Sequence, residues 1–133
     1  MLPFEFTIKG PPVSVQARRK IRLRQWQADV KSAAQRQLGA TSSTTTIDVN
    51  FSVTYYYEGS SPDVDNIIKP IQDALIGVIY EDDAQVVETK SRKRSIDGSY
   101  QIRGASSVLL AAFAESDAFL HVIVCEAEES GVL

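Results

Sequence analysis

A chain of 133 residues, 44% apolar and 23% charged, reads as one ordinary globular domain spanning 1–133. No apolar run reaches the ~18–20 residues of a membrane span, and the opening MLPFEFTIKG lacks the basic-then-apolar order of a signal peptide, so no membrane partner is expected. A single cysteine, Cys125, excludes an internal disulfide and a cysteine-rich zinc site, and a reduced, cytoplasmic setting is expected.

In chain order, residues 3–9 alternate Phe4, Phe6 and Ile8 with polar residues, the period of a strand. GPP at 10–12 breaks it. Residues 21–38 show helical spacing, with Ile21, Trp26, Val30, Ala33, Ala34 and Leu38 on one face and Gly39 at the exit. The polar run 41–46 reads as a flexible connection. Residues 46–57 alternate from Ile47 to Tyr57 and form the clearest strand. A helix is expected from about 66–67 to 76, with Gly77 ending it, then a strand over 84–95. Residues 106–115 read as a short helix. The nearly continuous apolar run 118–127 reads as a strand buried on both faces. This order predicts an α/β (α+β) fold, a small mixed sheet of about four strands with helices packed on it.

The net charge of −3 hides a strong segregation. Seven of the 14 basic residues lie between 18 and 36, and four more at 90–94, whereas acids gather in 58–88 and 115–129. Such clusters create local fields that the total conceals. Arg18, Arg19, Lys20, Arg22 and Arg24 form a candidate phosphate-binding run. Lys90, Arg92 and Arg94 alternate and so share one strand face, with Lys93 opposite; they are candidates to extend the same DNA path.

The acids of 60–88 pose the sharper question. Asp63 and Asp65 point to the same side only if 63–65 is extended. Pro62 favours extended geometry at Ser61, and Pro70 argues against a straight helix starting before 66–67, an earlier start needing a kink. Two facing carboxylates raise each other's pKa unless a cation lies between them. Hard oxygen ligands suit Mg²⁺ or Mn²⁺, and Lys69, one turn beyond Asp65, can neutralise the site or hold a phosphate. A helix over 67–76 is about 15 Å long. The stretch 77–83 spans up to ~23 Å, enough to return Asp83 to Asp63 and Asp65, within one subunit or in a partner. The bland alternative is a solvated acidic surface with Asp63 or Asp65 capping a helix.

The whole stretch, DVDNIIKPIQDAL followed closely by DDAQVV, resembles the RusA family of Holliday-junction resolvases. Asp63, Asp65, Asn66, Lys69, Asp73, Ala74, Leu75, Asp82, Asp83, Gln85 and Val86 carry the match, and the opening strand with GPP resembles the family's N-terminus. The resemblance implies a homodimeric, Mg²⁺- or Mn²⁺-dependent endodeoxyribonuclease that resolves four-way DNA junctions by paired incisions. It implies metal-binding Asp63, Asp65 and Asp83 and a catalytic Lys69, with Asp82 a neighbouring acid. Other expectations are a nuclease for another branched DNA, a non-catalytic junction-binding module, or an interaction protein whose acids are plain surface. Trp26 is expected in the core or at a dimer contact, His121 and Cys125 as structural, Asp73 as an ion-pair partner of Lys69, Asn66 as a cap or orienting residue, and Tyr56, facing away from the core series, as the tyrosine to contact DNA or a second subunit.

Overall fold

A computed structural model describes residues 2–14, 19–39, 43–59, 65–96, 105–115 and 117–127. The elements are β1 (Phe4–Lys9), α1 (Lys20–Leu38), β2 (Val49–Tyr57), α2 (Asp65–Ala74), a 3-10 turn (Asp83–Gln85), β3 (Val86–Ser95), α3 (Ser107–Ala114) and β4 (Phe119–Glu126). The four strands form one mixed sheet in the order β1-β4-β2-β3. β4 runs antiparallel to both neighbours, and β2 pairs with β3 in parallel. The expected α+β architecture is therefore the one observed. The apolar run of β4 is central, which is why it needs side chains suited to burial on both faces.

Period-two patterning divides the sheet into two faces. Phe4, Phe6 and Ile8 of β1, Leu120, Val122 and Val124 of β4, and Val49, Phe51, Val53 and Tyr55 of β2 point into one core. Trp26, Val30, Ala33 and Ala34 of α1 and Ile67, Ile71, Ala74 and Leu75 of α2 close over it. Trp26 is thus a core residue. Ile21 is not, being 80% exposed. It lies five positions before Trp26, about 140° around the helix from it, and so leaves the buried stripe.

α3 covers only part of the second face, against β1. Ser106 caps it, accepting from the Leu109 N–H at 3.1 Å, and its hydroxyl donates to Glu5 Oε2 at 2.9 Å. The same Glu5 oxygen lies 2.6 Å from Nε2 of the buried His121, so His121 joins β4 to β1 and α3 as structure. Tyr56 stacks on Phe119 and meets Phe113 edge-on, which pins the helix from the β2 side. Among the described residues no helix is long and apolar enough to cross a membrane.

α2 departs from expectation at both ends. It begins at Asp65 and carries Pro70 in its interior. Proline forfeits one backbone hydrogen bond there and crowds the preceding turn. Ile67, Ile71 and Leu75, each at most 1% exposed, offset that by burying one continuous stripe. Asp65 is therefore helical rather than extended, while its expected partner Asp63 lies outside the described residues. The helix also ends at Ala74, two residues early, in a tight turn where Gly77 adopts φ +84° and donates its N–H to the Tyr80 carbonyl at 2.7 Å.

Candidate active site on α2 and the turn before β3

On α2 the apolar stripe faces the core, so residues spaced by four on the other side face solvent. Lys69 and Asp73 are such a pair. The Lys69 ammonium lies 2.9 Å from Asp73 Oδ1 and 3.2 Å from Asp83 Oδ2, the latter delivered by the 3-10 turn. The chain does fold back after α2, within a single subunit, to bring Asp83 to Lys69. Asp73 is the expected ion-pair partner.

Both carboxylates act on the lysine. The hydrogen bond to Asp73, followed by that to Asp83 and the two charges, raises the Lys69 pKa above its ordinary 10.5 against some desolvation. Asp83 moves the other way. The adjacent Asp82 side chain and then the Lys69 ammonium hold its carboxyl below 3.8. All three side chains stay partly exposed, so the pairing sets charge and orientation more than stability.

The turn that carries Asp83 is held by two residues. Asp82 is its N-cap, accepting from the Ala84 N–H at 2.9 Å. Gln85 completes a capping box and does more. Its Oε1 accepts from the N–H groups of Glu81 and Asp82 at 2.8 and 3.0 Å, and its Nε2 donates to the carbonyls of Thr45 and Ile47 at 2.9 and 2.8 Å. The amide thus uses both donors and accepts twice. The stretch from Thr44 onward, expected to be flexible, is tied to the site: Thr45 bridges Tyr80, and the Thr44 hydroxyl reaches Glu81 at 3.3 Å.

Tyr80 forms the floor. It is fully buried and its hydroxyl donates to the Gln72 carbonyl. Burial first, then the nearby charges of Asp73 and Asp83, push its pKa far up, so it stays a neutral donor. Neither Tyr80 nor the roles of Asp82 and Gln85 follow from the sequence pattern, although the adjacency of Tyr80 to three acids is a visible signal.

Asp63 and Arg18 lie outside the described residues. Asp65 opens α2, one turn before Lys69. Arg19 is the N-cap residue of α1. The remaining cations split into groups. Lys20, Arg24 and Lys31 follow the stripe that includes Gln27, whose amide donates to the Pro70 carbonyl at 3.2 Å, so this stripe borders α2. Arg22 lies on the other flank, two turns before Asp29, which with Arg36 lines a groove of about 540 Å³ between α1 and α3. Lys90, Arg92 and Arg94 pair in register with Ser52, Thr54 and Tyr56, on the sheet face opposite α2. The sequence run of basic residues is therefore not one surface.

Exposed carboxylate oxygens on a firmly held turn suit a hard divalent cation in donor chemistry. Among the described residues, no three potential ligands converge.

The fold and site define a small α+β protein with a lysine held between two carboxylates on one helix and the turn that follows it. The family model described as endodeoxyribonuclease RusA matches residues 13–99, well over half of the chain. The chain belongs to the RusA endodeoxyribonuclease family. It is also similar to the Uncharacterized protein YqaN of Bacillus subtilis (strain 168), with 53% identity over 34 residues, 26% of this chain and 24% of the relative. The match thus spans about a quarter of that relative's length.

Proposed function

We propose that this protein is a divalent-metal-dependent endodeoxyribonuclease that cuts four-way DNA junctions by paired incisions, acting as a homodimer. The observation that carries the reading is Lys69 held between Asp73 and Asp83 on the elements that bear the family's motif. Paired cuts in a two-fold symmetric junction call for two coordinated sites, which supports the homodimer.

Hydrolysis of a phosphodiester adds charge to phosphoryl oxygens and to the departing oxygen. Lys69 is suited to that charge. Its raised pKa keeps it an ammonium, the opposite of what a general base requires, so it serves as a fixed cation and hydrogen-bond donor. Asp73 positions it from within α2. Asp83, ionised at neutral pH, is held by Asp82 and Gln85 so that it needs no reorganisation when DNA arrives. Asp63, Asp65 and Asp83 are the residues assigned to hold Mg²⁺ or Mn²⁺. When bound, the ion supplies neutralising charge and a water of lowered pKa. The cations Lys20, Arg24 and Lys31 beside α2 would guide a phosphate backbone to Lys69.

The test is incubation of purified protein with labelled four-way, Y-shaped and linear DNA, with Mg²⁺, with Mn²⁺ and with chelator. Symmetric nicks in the four-way junction, only with cation, are expected. Absence of any cation-dependent nick sinks the enzyme; preferential cutting of the Y-shaped DNA replaces the four-way substrate with another branched one.

A further inference from the structure

The second sheet face is half covered. α3 and the Tyr56–Phe113–Phe119 cluster occupy the β1 and β4 side. Beyond them lie Ser52 of β2 and the exposed Lys90, Arg92 and Arg94 of the edge strand β3. Among the described residues, no ion pair engages these three cations. Arg94 makes one hydrogen bond, to the Lys93 carbonyl at 2.8 Å, which leaves most of its guanidinium donors unused. At two-residue spacing the row runs about 13 Å along the strand. Glu88 stands on the same face at the far end, so the positive field lies toward Arg94. Burial pushes the Tyr56 hydroxyl up while the charges of Arg92 and Arg94 oppose it, consistent with both guanidiniums lying over this face.

A protein of net charge −3 that leaves three cations uncompensated in a row offers a polyanion a complementary surface. α2 and Lys69 lie on the opposite face of the sheet. A straight duplex seated against α2 is on the wrong side to meet the row. We infer that the row Lys90, Arg92 and Arg94 docks the phosphate backbone of a DNA arm other than the arm presented to Lys69. This rests on the proposed nuclease function and adds to it a reason for choosing branched over linear DNA, with one arm on each face.

Binding is measured without divalent cation, so that no cleavage occurs, on a four-way junction and on a linear duplex of matching arm sequence, across a salt series. The variant Lys90→Gln/Arg92→Gln/Arg94→Gln is expected to lower the salt slope for the junction by about 3 and weaken junction binding more than about 10-fold. Linear-duplex binding should change less than about 3-fold, because the α2 side stays intact. The charge-conserving Lys90→Arg/Arg92→Lys/Arg94→Lys must retain the wild-type slope, which separates lost charge from damaged folding. An unchanged junction slope overturns the inference, as does an equal loss on linear duplex, which would mean one continuous track. If wild type still nicks junctions in Mg²⁺, either result leaves the nuclease reading standing; if wild type binds no DNA at all, both readings fall.

Discussion

The two charged regions of this molecule handle charge in opposite ways. At α2 and the turn before β3 the described charges are partnered: Lys69 contacts two carboxylates, Asp83 is lowered by its neighbours, and Gln85 saturates its amide to hold the turn. On the outer half of the second face, Lys90, Arg92 and Arg94 stand in water with no ion pair to an acid among the described residues. Compensated, oriented charge suits a reaction, since its geometry exists before substrate arrives. Uncompensated charge suits docking, since its counterions leave when a phosphate replaces them. The two regions should therefore fail differently when altered.

The largest break should come at the compensated site. Asp83→Asn should slow junction cleavage about 10³-fold and Lys69→Ala about 10²–10³-fold, in single-turnover assays, while junction affinity without metal stays near wild type. A comparable loss of affinity would make these residues part of docking, and the contrast would vanish. Next comes Gln85→Ala. It removes four hydrogen bonds around the turn and should destabilise the fold by about 1–3 kcal/mol in urea titration. Cleavage should fall in kcat more than in KM, because Asp83 loses its fixed position.

Smaller still is Asp73→Asn. The Lys69–Asp73 pair is partly exposed, so stability should change by less than about 1 kcal/mol. Its clearer readout is the Lys69 ammonium, whose pKa should fall when its main raising partner is lost, as followed by NMR of the lysine Nζ. The last prediction concerns pH and has a worked sign. A raised Lys69 contributes stability that is complete below 10.5 and fades as pH climbs through its folded value. A lowered Asp83 contributes stability that is complete above 3.8 and fades as pH falls through its folded value. The pairing should therefore be flat across neutral pH, and a transition near pH 6–7 in Lys69 or Asp83 resonances would contradict it.

Much of this was legible in the residues, for identifiable reasons. β4 declared its central place because only a strand covered on both faces tolerates LHVIVC, and α2 declared its buried stripe by period. Asp83 was reachable by chain length alone. α2 reaches further back from Pro70 than a straight helix was expected to, because the packing of Ile67 and Ile71 outweighs proline's missing donor. Gln85 was visible but mute: its partners at Thr45 and Ile47 lie 40 and 38 positions upstream, a contact no local pattern encodes. Arg22 and Arg24 looked equivalent in sequence and diverge because the phase of α1 against α2 is set by tertiary packing.

The edge position of β3 has one more outcome. Its outer backbone is unpaired by any other described strand, and an open parallel-paired border of ten residues invites another chain to zip onto it. Lys90, Arg92, Lys93 and Arg94 guard that border, because two copies laid side by side there would crowd like charges against one another. Exchanging them for valine or isoleucine should convert a guarded edge into a seed for fibrous precipitation.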